Sequence, residues 1–195
     1  MDQTGKTEEY DEEKTVFRFD AEIGWVDIWI DCYWNDLEDP EDEEDIDLPI
    51  YYEPDIVRNA LHCGRNLSRK DGRYESWWGG EYILAGEVAG LRERFEALRD
   101  GRSDGFGAYP DHYISGEGEP FMQFSAKREG DRIRVELTLC PENLVEEFDF
   151  LLARAELNNL CSYFKRINEW FPPVGPGEEQ VLRWGKNGQK KGAEE

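Results

Sequence analysis

The alternation of apolar and polar residues singles out residues 25–34 as the stretch around which the chain is organised. In an extended strand, successive side chains point to opposite faces. One face of this stretch is apolar throughout and predicts a core strand: Val26, Ile28, Ile30, Cys32 and Trp34. The other face interleaves aromatic rings with carboxylates and predicts a contact surface: Trp25, Asp27, Trp29, Asp31 and Tyr33.

The residues before this stretch carry the same pattern with the opposite parity. Apolar side chains fall on odd positions from Phe17 to Ile23, and the apolar set moves to even positions after Gly24. A parity change at a glycine indicates a β-bulge or a tight turn. We expect one long bulged strand, with a β-hairpin as the alternative.

Further strands are predicted in the second half of the chain. Residues 121–127 and 132–139 alternate strictly around Gly130-Asp131, which predicts a hairpin. Residues 148–152 predict another short strand, and residues 74–83 predict a strand interrupted by a glycine bend. Residues 101–120, rich in Gly, Asp and Ser, predict a long loop.

Helical periodicity appears in two segments. Leucine, valine and phenylalanine recur at helical spacing from Leu84 to Leu98, with Gly101 after the end, although Gly86 and Gly90 weaken the first turns. A second stripe runs from Leu157 to Phe171 and stops at two prolines. A weaker pattern, from residue 54 to residue 64, predicts a third, short helix.

These elements predict an α+β fold: a mostly antiparallel β-sheet with two main helices packed on one face. We expect a disordered lead-in over residues 1–14 and a single α+β domain over residues 15–173. The domain would include an acidic loop over residues 36–48, and residues 174–195 would form a flexible tail.

Charge narrows the choice of partner. The chain has 23 Lys and Arg residues against 45 Asp and Glu residues, a formal net charge of −22. Such a charge repels nucleic acid and anionic lipid and attracts basic proteins. The polar N-terminus and the four cysteines, none in a CxxC pair, lead us to expect reduced thiols in the cytoplasm. No apolar run reaches membrane-spanning length.

An acidic run follows the aromatic and acidic strand directly. Two interpretations stay open: a solvated loop, or one anionic surface formed together with the strand. In the second interpretation, the carboxylates would pair with Lys and Arg of a basic protein. They are Asp36, Glu38, Asp39, Glu41, Asp42, Glu43, Glu44, Asp45 and Asp47.

Candidate chemistry is sparse. His62 beside Cys63 is the most visible pair for nucleophilic catalysis, but ordinary buried thiols are the more frequent outcome. The acidic run lacks EF-hand spacing, and no phosphate-binding glycine motif occurs. We therefore predict no enzyme activity, no metal and no cofactor. Trp77-Trp78 could line a groove, although packing over the following glycines is the simpler interpretation.

The order of segments resembles small bacterial immunity proteins of the WapI type. The resemblance is carried by the early strand with Trp and acids, the helix ending at Gly101, the hairpin over residues 121–139 and the final Trp170-Phe171-Pro172. It covers residues 16–172. It implies a cytosolic antidote that binds a secreted toxin domain, often a basic nuclease, and blocks its active site without doing chemistry.

Two functions follow as hypotheses. The first is a non-enzymatic acidic inhibitor of a basic toxin, anchored by Trp25, Trp29 and Tyr33. The alternative is a nucleic-acid mimic from a phage or mobile element, acting against a restriction or CRISPR complex. That alternative requires rows of carboxylates at phosphate-like spacing.

Overall fold

The structure is a computed structural model that describes residues 15–22, 24–33, 59–77, 82–110, 122–140 and 145–173. These described residues form two antiparallel sheets and two complete helices. The predicted α+β class, with antiparallel pairing throughout, is confirmed. The predicted lead-in, acidic loop and tail lie outside the described residues.

Sheet A is formed by the first five strands. Strand β3 lies at its centre, with β2 and then β1 on one side, and with β4 and β5 both pairing on the other. The strands are β1 (Val16–Ala21), β2 (Gly24–Tyr33), β3 (Ala60–Arg69), β4 (Tyr74–Trp77) and β5 (Tyr82–Leu84).

The parity change at Gly24 marks a hairpin, so the expected single bulged strand is wrong and its alternative is right. Strands β1 and β2 pair from Val16↔Trp29 to Ala21↔Gly24. Gly24 has φ +146°, and a Cβ there would lie 1.9 Å from the Ser68 carbonyl oxygen. Close approach of the β3 backbone therefore requires glycine at this turn.

The helix predicted over residues 54–64 is wrong from Ala60 onward, where β3 begins; Asn59 is helical, and residues 54–58 lie outside the described residues. Leu61, Cys63 and Leu67 are buried on one side of that strand. Residues four positions apart, such as Cys63 and Leu67, share a face in a strand as well as in a helix. Pairing with β2 on one side and with β4 and β5 on the other makes this segment a strand.

Sheet B contains the remaining strands in sequence order, and its central hairpin turns at Gly130 as predicted. The predicted loop over residues 101–120 is wrong in part, because β6 lies within it and pairs with β7. The elements are α1 (Ala85–Arg99), β6 (Gly105–Tyr109), β7 (Met122–Glu129), β8 (Arg132–Leu139), β9 (Glu146–Leu152) and α2 (Arg154–Trp170).

Helix α1 begins at Ala85 despite its two early glycines. The buried carboxylate of Glu87 accepts a hydrogen bond from the backbone N–H of Leu84, 2.8 Å away. This contact satisfies a donor at the helix N-terminus and places a negative charge where the helix dipole favours it. In the described part of the chain, no helix is long and apolar enough to span a membrane.

The core lies between the helices and the inner faces of the two sheets. Phe95 of α1, Phe124 of β7 and Phe164 of α2 contact one another with ring centroids 5.7–5.8 Å apart. Phe19 of β1 stacks on Phe150 of β9 at 4.4 Å and joins the sheets. The opposite face of sheet A is thereby left on the outside of the molecule.

Candidate partner-binding surface

The outer face of sheet A is defined by the strand register. Directly paired residues in antiparallel strands place their side chains on the same face. Three rows result: Asp20–Trp25–Ser68–Tyr74, Arg18–Asp27–Asn66–Ser76 and Val16–Trp29–Gly64. The inner face of β2 carries Val26, Ile28 and Ile30, all fully buried, as predicted from the alternation.

The first row presents two exposed rings. Trp25 is 46% exposed and Tyr74 is 63% exposed, although both are large side chains in ordered strands. Ser68 lies between them on β3 and rises little above the sheet. Exposed aromatic rings on a sheet face are typical of protein contact surfaces.

The second row contains an ion pair within the chain. Both oxygens of Asp27 accept hydrogen bonds from the Arg18 guanidinium, at 2.6 and 2.7 Å. Asp27 is only 7% exposed, whereas the Arg18 side chain is 62% exposed. The hydrogen bonds and charge of Asp27 raise the pKa of Arg18. The Arg18 guanidinium also lies 5.9 Å from the Trp25 ring centroid.

Trp29 belongs to a more enclosed part of the face. Its ring makes an edge-to-face contact with His62 at 4.9 Å, and it is half-buried. The Oδ1 atom of Asp31 lies 3.5 Å from Nδ1 of His62, with 32% of the Asp31 side chain exposed. Trp29 is therefore less accessible to a partner than Trp25.

The structure thus brings four of the predicted contact residues onto one face, with unequal access. Trp25 is exposed, Trp29 and Asp31 are half-buried, and Asp27 is buried in an ion pair with Arg18. Tyr33 ends β2, and its side chain is outside the described residues. So are the acids of the run: Asp36, Glu38, Asp39, Glu41, Asp42, Glu43, Glu44, Asp45 and Asp47.

Sequence reasoning missed the contributions of β1 and β4 to this face. Arg18, Asp20 and Tyr74 are placed beside the β2 aromatics by pairing alone. The alternation in residues 16–23 could have indicated that Arg18 and Asp20 point outward. It could not have paired them with β2 without the hairpin.

The candidate pair His62 and Cys63 is separated by the same alternation. His62 points to the outer face beside Trp29, and Cys63 is fully buried in the core. Neighbours in one strand face opposite sides, so this thiol and this imidazole cannot act on one substrate. Among the described residues, no three His, Cys, Asp or Glu side chains are grouped as metal ligands.

A profile of the immunity protein WapI-like family matches residues 17–172. The chain belongs to this family. The match runs from the second residue of β1 to the end of α2, so the WapI-like region includes both sheets and all of the outer face of sheet A except Val16. The resemblance found in the sequence is confirmed. No curated protein matches the chain.

Proposed function

We propose that this WapI-like protein is a non-enzymatic inhibitor that binds and neutralises a basic toxin domain, most simply a nuclease. The observation that carries the proposal is the outer face of sheet A, where Trp25 and Tyr74 are exposed beside carboxylates in a chain of net charge −22. The nucleic-acid-binding surface of a nuclease is positively charged. An acidic inhibitor is therefore attracted to that surface, which raises its association rate and its specificity.

The alternative of a nucleic-acid mimic has weaker support within the described residues. A mimic needs carboxylates free to occupy phosphate positions. Along the outer face of β2, Asp27 is neutralised by Arg18, and it lies between two aromatic residues. This mixture favours recognition of a protein surface.

The proposal is tested with the toxin domain encoded beside this chain's gene. The purified domain is assayed for cleavage of RNA and DNA while the full chain is added in increasing amounts. We expect activity to end at a 1:1 ratio and to return when the complex is dissociated at high salt. Unchanged cleavage at excess inhibitor would refute the proposal. A toxin that stays inactive after separation would instead indicate covalent modification.

The anchor role of Trp29 is tested in the same assay. Replacing Trp29 with Ala should weaken toxin binding far more than neutralising any single acid between residues 36 and 47, because aromatic anchors dominate interface energies. Glu43→Gln serves as the comparison. Equal losses from the two variants would count against aromatic anchoring and in favour of a purely electrostatic contact.

A further inference from the structure

In the row Asp20–Trp25–Ser68–Tyr74, the last three residues place two exposed aromatic side chains on either side of a small one, across three strands of sheet A. Trp25 on β2 and Tyr74 on β4 flank Ser68 on β3. Two strand spacings separate the flanking backbones by about 10 Å. Because serine is small, Ser68 presents little side chain between the two flanking aromatic residues.

The two aromatic rings of this row, in a chain of net charge −22, favour a cation. Asp20 is exposed and pairs with Trp25 on the side away from Ser68, about 10 Å from the space above Ser68, so it adds to the negative charge of this face without contacting that space. The nearby Arg18 cation is neutralised by both oxygens of Asp27 and therefore repels an incoming cation little. Faces of Trp and Tyr attract guanidinium and ammonium groups, most strongly when the contact is desolvated.

We propose that Trp25 and Tyr74 form an aromatic clamp over Ser68 that receives an Arg or Lys side chain of the toxin. The inference rests on the proposed function and deepens it, because it assigns the central contact to a named site. In this arrangement Asp27 is a positioning residue: it neutralises Arg18 and holds that side chain beside Trp25.

The test measures affinity for a catalytically inactive form of the neighbouring toxin domain, using full-length variants. Trp25→Ala and Tyr74→Ala should each weaken binding by about tenfold or more. Tyr74→Phe should bind like the wild type, because the clamp uses the ring and not the hydroxyl group. Leu151→Ala is the matched control, since Leu151 is a 41% exposed apolar residue on the outer face of sheet B.

The outcomes separate the two proposals. If wild type binds and inhibits the toxin but both alanine variants bind equally well, the clamp is overturned and the proposed function stands. If wild type does not bind, the proposed function fails. The clamp is then tested separately, by adding N-acetyl-arginine amide at millimolar concentration and following the indole N–H resonance of Trp25. A shift of the Trp25 indole N–H resonance that disappears in Tyr74→Ala supports the clamp, and the absence of a shift overturns it.

Discussion

The ion pair between Arg65 and Glu146 joins the two sheets and allows a sharp test of how they are held together. Arg65 points into the interior from β3 and is 5% exposed. Its Nε and Nη2 atoms donate hydrogen bonds to the two carboxylate oxygens at the start of β9, at 2.6 and 2.5 Å. The Glu146 side chain retains 24% exposure.

Glu146→Gln removes the counter-charge with little change in shape. Removing one partner of a buried ion pair costs about 3–5 kcal/mol, because the other charge is left uncompensated in a poor solvent. Water reaches Glu146 in part, and a glutamine oxygen still accepts one hydrogen bond. We therefore expect a loss of about 2–3 kcal/mol, out of a total of about 5–15 kcal/mol for a domain of this kind.

The assay is urea unfolding followed by tryptophan fluorescence. Asp149→Asn is the control, because it removes an exposed carboxylate from Arg134 on the outer face of sheet B and should change stability much less. The double variant Arg65→Met/Glu146→Leu should recover most of the loss, since it removes both charges. Equal losses from Glu146→Gln and Asp149→Asn would refute the argument from burial.

Three further predictions concern packing and protonation. Gly90→Ala should destabilise the protein by about 1–3 kcal/mol, because the new Cβ would lie 2.1 Å from the Tyr109 hydroxyl oxygen. Thermal melts measure the loss. Gly107→Ala is the control and should have little effect, because a Cβ at that position has no atom within 4 Å. Tyr163→Phe should cost about 1 kcal/mol in urea unfolding, because the buried hydroxyl group donates to the Thr15 carbonyl oxygen; no loss would show that this bond adds nothing. Burial raises the pKa of Cys161 from 9.0 to about 11. The folded state therefore holds this proton more tightly, and the free energy of unfolding should fall as the pH rises from about 9 towards 11; the fall should be smaller in Cys161→Ala.

The fold was predictable in the segments whose sequence shows a single clear periodicity, either helical or alternating. The helical stripe from Leu157 to Phe171 is buried at every predicted position, and the hairpin at Gly130 has the expected pairing. Errors arose where local pattern and pairing disagreed. Residues from Ala60 fit a helix in isolation, and only the neighbouring strands make them β3. Strand β6, with its two glycines, is held by pairing with β7 and by Phe106 against Phe95.

The sequence predicted which residues share one face of a strand, but it did not predict which strands lie next to one another in the sheet. Alternation placed Trp25, Asp27 and Trp29 on one side of β2, where the structure has them. It could not show that Asp27 is engaged by Arg18, because that contact depends on the hairpin register. Nor could it place Tyr74 in the same row as Trp25, since that placement depends on both strands pairing with β3. Exposure is a property of the assembled sheet.

The contact between Tyr163 and Thr15 has a consequence for the synthesis of this protein. It links residues 148 positions apart in the chain, and Phe17 also rests on the Tyr163 ring, at 5.5 Å. Strand β1, which carries Arg18 and Asp20, therefore completes its packing on the inner side only after α2 has left the ribosome. A nascent chain stopped before α2 should be unable to protect its host, however much of the acidic surface has already been translated.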